Sequence, residues 1–197
     1  SDIISYPSLC LRHPVLVEAC KRLGSVQIRN VATIGGNLCN CSPSADAACP
    51  LLILEAKVKL QSSRESRDIP LSEFFIGPGE SCLAPDEILT GIFLDSPNEN
   101  AKTIFLKKGR VRMDLAIASV AILLEMKGKL CRKARIAAGS VAPVPLRLSK
   151  VEALLEGSLI SPKIVARAQE LAAESIFPIT DIRSSDEYRR QIVGLFV

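Results

Sequence analysis

The residues best suited to chemistry in this 197-residue sequence lie in one stretch, Thr33-Ile34-Gly35-Gly36-Asn37-Leu38-Cys39-Asn40-Cys41-Ser42-Pro43-Ser44-Ala45-Asp46. Two adjacent glycines leave bare backbone that another molecule can approach closely, and they admit the positive φ of a tight turn. Thr33, Asn37, Asn40 and Ser42 crowd polar groups around that turn. Ser42-Pro43-Ser44 reads as a helix start with Asp46 in the first turn. The free N–H groups of such a helix suit an anion such as phosphate, and Asp46 is placed to accept from a hydroxyl or a ring N–H. The combination is a candidate nucleotide cradle. On residue types alone, a polar Gly-Gly turn before a helix is more often only a turn. The stretch is neither the three-glycine dinucleotide fingerprint nor a P-loop.

Little else in the sequence offers chemistry. The seven cysteines stand at 10, 20, 39, 41, 49, 82 and 131. Cys39-x-Cys41 with Cys49 does not match a zinc pair-of-pairs, and an apolar helical pattern through Cys49 weakens an iron–sulfur alternative. Free thiols in a reducing cytoplasm are the expectation. No Ser-His-Asp set is present, and His13, the only histidine, reads as an exposed helix start. No catalytic residue and no metal ligand is assigned. The formal charge of +4 is scattered, with short clusters at Lys107-Lys108-Gly109-Arg110 and Arg132-Lys133 that read first as solvated surface. Six Phe, two Tyr and no Trp offer few stacking platforms for single-stranded nucleic acid, which is excluded on that ground. The longest apolar run, Leu115 to Leu124, is about half of a membrane span, and Ser1-Asp2 lacks the basic start and apolar run of a signal peptide.

The elements that must position the cradle follow from periodicity. Val15, Leu16, Ala19, Cys20 and Leu23 form a helical stripe over 13–23, ended by Gly24. Residues 26–32 read as extended. An apolar helix runs through Leu54 with a kink near Pro50, and Lys57 to Gln61 alternates as a strand. Leu71 to Phe75 is a short helix or turn, Gly77-Pro78-Gly79 a loop, and Ile88 to Leu94 a strand. The polar stretch Ser96 to Asn100 marks a domain boundary. Beyond it, residues 103–107, 115–125 and 134–139 alternate as three strands of an antiparallel sheet. Helices follow over 151–155, 162–173 and 186–195. The expected fold class is α+β: residues 1–97 form one unit, and residues 98–197 form a small three-stranded antiparallel sheet with a helical layer.

The segment IRNVATIGGNLCNCSPSADAACPLLIL resembles the second FAD-binding segment of the flavoprotein subunits of xanthine dehydrogenase, carbon monoxide dehydrogenase and related molybdenum hydroxylases. The resemblance continues, in order, through HPVLVEACKRLGS, IPLSEFFIGPGESCLAPDEILTGI, ARIAAGSVAPVPLRLSKVEALLEG and SDEYRRQIVGLFV. It implies that residues 1–97 are the second half of a vanillyl-alcohol-oxidase-type FAD-binding domain and that residues 98–197 are the family's C-terminal domain. It further implies that Thr33, Ile34, Gly35, Gly36 and Asn37 contact the FAD pyrophosphate and neighbouring sugar, largely through backbone N–H groups. Asp46 matches an acidic cofactor contact, Leu89 an apolar residue lining the flavin site, Lys107 a lysine near the ring, and Leu23 a bulky apolar residue flanking the cofactor. On residue type alone, Leu23 and Leu89 read as core and Lys107 as surface charge. Two departures stand out. No glycine-rich loop precedes Thr33, so the resemblance implies that the other wall of the pyrophosphate site belongs to a first FAD subdomain or chain outside this sequence. The cysteines at 39, 41 and 49 replace residues that are commonly small or apolar.

The function implied by the resemblance is electron transfer: FAD receives electrons from iron–sulfur clusters and passes them to NAD+ or another acceptor. The implied partners are a molybdopterin-binding large subunit and a 2Fe-2S small subunit. A rival reading is a non-catalytic assembly module that holds no flavin. Flavin absorbance separates the two.

Overall fold

The structure, a computed structural model, describes residues 2–95 and 98–197. Of the expected boundary segment, Ser96 and Pro97 lie outside the described residues. The N-terminal part carries six short helices: α1 (Asp2–Ser5), α2 (Pro7–Arg12), α3 (Pro14–Arg22), α4 (Val26–Val31), α5 (Ile34–Cys39) and α6 (Ala48–Ile53). Strands β1 (Lys57–Gln61), β2 (Ser66–Pro70), β3 (Phe75–Gly77), β4 (Glu80–Ser81) and β5 (Ile88–Phe93) follow. They form an antiparallel sheet in the order β2-β1-β5 and a small β3-β4 hairpin. A 3-10 turn, Leu71–Glu73, lies where the short helix was expected.

The C-terminal part is an antiparallel sheet of β6 (Ala101–Lys108), β7 (Ala118–Lys127), β8 (Leu130–Gly139) and β9 (Leu146–Arg147), in that order. Helices α7 (Ser149–Leu155), α8 (Pro162–Glu174) and α9 (Asp186–Phe196) complete it. The expected three strands are present, and two-residue β9 makes a fourth by pairing Ala137 with Arg147 and Ala138 with Leu146. A pairing this short leaves no alternation in the sequence to read.

Strand side chains alternate between faces, and here both faces are covered. Ala121, Leu123 and Ala137 join a core with Leu16, Leu51 and Ile53 from the N-terminal helices. Val120, Ala134, Ile136 and Ala138 face the opposite way and pack with Val151, Ala168 and Val193 from α7, α8 and α9. A sheet buried on both faces explains the long apolar run through β7. Most of the run is strand β7, and no helix among the described residues is long and apolar enough to cross a bilayer.

Four local expectations are corrected. Residues 26–32 are not extended: α4 forms because Ser25 Oγ accepts the Ile28 N–H at 3.3 Å, and Arg29 donates to the Leu23 and Gly24 carbonyls at 2.8 and 3.0 Å. The apparent alternation of Val26 and Ile28 had no strand to pair with, and both residues are exposed. Thr33 to Asn37 is not a positive-φ turn, since neither Gly35 nor Gly36 has positive φ. Thr33 caps α5, and the glycines lie in its first turn. Ser42 to Asp46 is a turn, and the next helix starts at Ala48. Pro50 therefore sits in the first turn of α6, where its missing N–H breaks no bond and kinks nothing. His13 is buried, at 5% exposure, with Nδ1 unpartnered among the described residues. It lies between α2 and α3, and burial followed by the nearby Arg12 charge lowers its pKa. The polarity of a lone histidine had suggested the surface.

Candidate functional site

The cradle is built on the N-terminus of α5. Thr33 holds an extended backbone and its Oγ1 accepts the Gly36 N–H at 3.0 Å. The Asn37 N–H reaches the Thr33 carbonyl at 3.0 Å. The N–H groups of Ile34 and Gly35 have no acceptor among the described residues, as the first turn of a helix requires. Beside them the backbone is bare. A Cβ on Gly35 would meet only Leu89, at 3.7 Å, and one on Gly36 would press to 3.0 Å from Thr33 Oγ1. Leu89 on β5 is thus the apolar floor beneath Gly35.

Around this turn, Leu23, Thr33, Ile34 and Asn37 line one cavity of about 250 Å³, together with Cys20 and Ala47. Asn37 is not an open polar group, because its Oδ1 accepts the Ala47 N–H at 3.3 Å. That bond ties α5 to the turn carrying Asp46. Four of the nine residues expected from the sequence therefore share a cavity, Gly35 faces Leu89, and Gly36 supports the cap.

Asp46 and Lys107 are joined directly. Lys107 Nζ donates to Asp46 Oδ2 at 2.7 Å and to the Arg22 carbonyl at 3.2 Å, and the two side chains are only 5% and 6% exposed. Lys107 is therefore not a surface charge. It leaves β6 and ends inside the helical half, at the end of α3 next to Leu23. Asp46 Oδ1 is buried with no hydrogen-bond partner among the described residues. Burial raises the Asp46 pKa, opposed by the charge and hydrogen bond of Lys107. A buried acceptor without a donor carries a desolvation cost that a ligand N–H or O–H would remove.

Residues not singled out by the sequence hold this turn in place. The Ser140 N–H donates to the Pro43 carbonyl at 2.7 Å, and the Ser140 and Ser44 hydroxyls meet at 2.9 Å. Gly139 allows the approach, since a Cβ there would fall 2.7 Å from Ser119 Oγ and 2.9 Å from Cys49 Sγ. Buried Arg189 of α9 donates to the Ile117 and Ser140 carbonyls at 2.6 and 2.9 Å and to Asp181 at 2.7 Å. A glycine closing a strand signals close backbone approach, so Gly139 was legible in principle. Nothing local pointed to Arg189.

Of the cysteines, Cys20 lines the cavity beside Leu23. Burial pushes the Cys20 thiol up to about 11 and the Cys49 thiol up to about 12. Among the described residues no group of three His, Cys, Asp or Glu side chains is arranged to hold a metal ion.

Comparison with known proteins places this geometry. Residues 1–97 match the family model described as the FAD binding domain in molybdopterin dehydrogenase, and residues 104–197 match that of the CO dehydrogenase flavoprotein C-terminal domain. The glyceraldehyde dehydrogenase medium chain of Sulfolobus acidocaldarius is 31% identical over 192 residues, covering 98% of this chain and 68% of that protein. The chain belongs to the FAD-binding medium-subunit family of the xanthine and carbon monoxide dehydrogenases. Another member, the putative xanthine dehydrogenase FAD-binding subunit of Escherichia coli (strain K12), is 34% identical over 185 residues, covering 92% of this chain. The chain spans 63% of the length of that relative. Among solved structures, carbon monoxide dehydrogenase from Hydrogenophaga pseudoflava superposes with a TM-score of 0.95 at 29% identity, covering 98% of this chain and 68% of the matched chain. FAD is the cofactor of this family's subunits, and the residues present fit it: open N–H donors over bare backbone, an apolar floor, and a buried carboxylate oxygen awaiting a donor.

Proposed function

We propose that this chain holds FAD in the electron-transfer subunit of a molybdenum hydroxylase, acting with a molybdopterin-binding large subunit and a 2Fe-2S small subunit in the cytoplasm. When bound, the flavin exchanges single electrons arriving from iron–sulfur clusters for the pair that leaves to NAD+ or another acceptor. The chain's own residues bind and orient. The N–H groups of Ile34 and Gly35 receive pyrophosphate oxygens, with Gly36 and the Thr33 cap fixing their direction and Asn37 bracing the adjoining turn. Asp46 accepts from the cofactor through Oδ1 while Lys107 holds its other oxygen. Leu23 and Leu89 supply apolar walls. Residues 1–97 serve as the second FAD subdomain of a vanillyl-alcohol-oxidase-type fold and residues 98–197 as the C-terminal flavoprotein domain. A first, glycine-rich subdomain outside these 197 residues closes the other side of the pyrophosphate.

The observation that carries this reading is the conjunction, among the described residues, of the unpaired N–H groups of Ile34 and Gly35 with the unpartnered Oδ1 of Asp46. Its test is the visible spectrum of the protein purified with its partner polypeptides and equilibrated with FAD. Stoichiometric flavin, reducible through the partner's iron–sulfur clusters, is expected. A complete assembly that takes up no flavin would overturn the reading and leave an assembly module.

A further inference from the structure

Residues 42–47, which carry Asp46, belong to no helix or strand, so tethers decide where the carboxylate points. The backbone is tied on both sides of Asp46. After it, the Ala47 N–H reaches Asn37 Oδ1 in the cradle helix. Before it, the Pro43 carbonyl accepts the Ser140 N–H at 2.7 Å, and the Ser44 hydroxyl meets the Ser140 hydroxyl at 2.9 Å. Ser140 follows β8 and lies 96 positions along the chain from Ser44. The second tether therefore comes from the C-terminal sheet.

Ser140 is held in a conformation that serine rarely adopts. Its φ is +64° and it is 8% exposed. A non-glycine residue in the left-handed region is strained and persists only where its surroundings over-determine it. Here they do. The N–H and the hydroxyl go to the 43–44 turn, and the carbonyl accepts from buried Arg189 at 2.9 Å. Arg189 is itself fixed by the Ile117 carbonyl and Asp181. Gly139 leaves room for the approach, since a Cβ there would fall 3.4 Å from the Pro43 carbonyl oxygen. The backbone alone calls for no serine at this position, because glycine takes the same φ without strain. What serine adds is the hydroxyl that reaches Ser44.

We propose that Ser140 is a positioning residue of the cofactor site: through Pro43 and Ser44 it sets the 42–47 turn so that Asp46 Oδ1 faces the cofactor. This role rests on Asp46 accepting from FAD, as proposed above. Lys107 fixes the other carboxylate oxygen, and Ser140 fixes the backbone from which the carboxylate projects.

The test is fluorimetric titration of the complete, flavin-free subunit with FAD, with the thermal transition of each variant taken alongside. Ser140→Ala keeps the backbone bonds, loses only the hydroxyl, and should weaken FAD binding by about fivefold. Ser140→Gly loses the same hydroxyl but relieves the φ. It should unfold at a higher temperature than Ser140→Ala yet bind FAD no more tightly. In Asp46→Asn, Lys107 claims the remaining carbonyl oxygen and an amide nitrogen stands where Oδ1 was, so affinity should fall by about tenfold or more. Adding Ser140→Ala to Asp46→Asn should then cost nothing further. If Asp46→Asn does not fold, the two Ser140 variants decide alone. The proposal is overturned if Ser140→Ala binds FAD as the wild type does, if its loss persists in the Asp46→Asn background, or if affinity merely follows thermal stability across the variants. Wild-type affinity in folded Asp46→Asn would instead refute the Asp46 contact itself, and this role with it.

Discussion

Two residues 61 positions apart carry the strongest electrostatic feature of the site. Lys107 and Asp46 were singled out separately, and nothing in the sequence placed one against the other, since that contact arises only when β6 packs on the helical half. Removing one member of a buried pair strands the other. Lys107→Met is expected to destabilise the protein by about 3–5 kcal/mol in denaturant unfolding, and Asp46→Leu/Lys107→Met by less. Equal losses would show that the carboxylate is solvated without its partner. The pH dependence has a definite sign. Burial raises the folded pKa of Asp46 above that of the unfolded chain. Its contribution to stability is therefore full below the ordinary carboxylate pKa and is lost as pH rises through the raised value. Asp46→Asn should remove that decline from a stability–pH profile. The cysteines follow the same logic of burial. Cys10 is exposed, whereas Cys41 and Cys49 are buried. Alkylation of the native protein, followed by mass spectrometry, should label Cys10 and spare Cys41 and Cys49.

At the scale of elements, the strands and longer helices were legible because their periods persist: α3, α8, α9 and the three long strands of the C-terminal sheet lie close to the expected positions. Short elements were not. Alternating Val26 and Ile28 mimic a strand, and only Ser25 and the reach of Arg29 back to Leu23 and Gly24 make α4 a helix. The cradle itself was legible in residue type but not in conformation. Neither Gly35 nor Gly36 has positive φ, and the open N–H groups belong to α5 instead of a helix starting at Ser42. Thr33→Ala should cost about 1 kcal/mol of local stability, read as faster hydrogen exchange at the Gly36 amide, and Thr33→Ser should restore most of it. An unchanged exchange rate would mean the cap does not hold the turn. The Asp46 turn depends equally on its support at the end of β8. Gly139→Ala would drive a methyl group into Ser119 Oγ and Cys49 Sγ and is expected to destabilise by about 1–3 kcal/mol.

For the molecule as a whole, the α+β class was legible, but the way its two parts share a core was not. Phe105 on β6, with Ala121, Leu123 and Ala137, packs into the same cluster as Leu16, Leu51 and Ile53. Sequence periodicity shows which strand face is apolar without saying what covers it. Phe105→Ala should therefore cost about 3–5 kcal/mol and lower one cooperative transition. Two separate transitions would indicate that the parts fold independently. The account rests on α5 presenting bare backbone to the diphosphate of FAD, and Gly36 is where that is most directly tested. Valine there would crowd Thr33 Oγ1 and fill the space a diphosphate needs, without touching the C-terminal core. The decisive measurement is flavin occupancy of Gly36→Val in the complete subunit, taken alongside its thermal transition. The account predicts a marked loss of flavin with the fold retained, and a folded variant carrying wild-type flavin would contradict it.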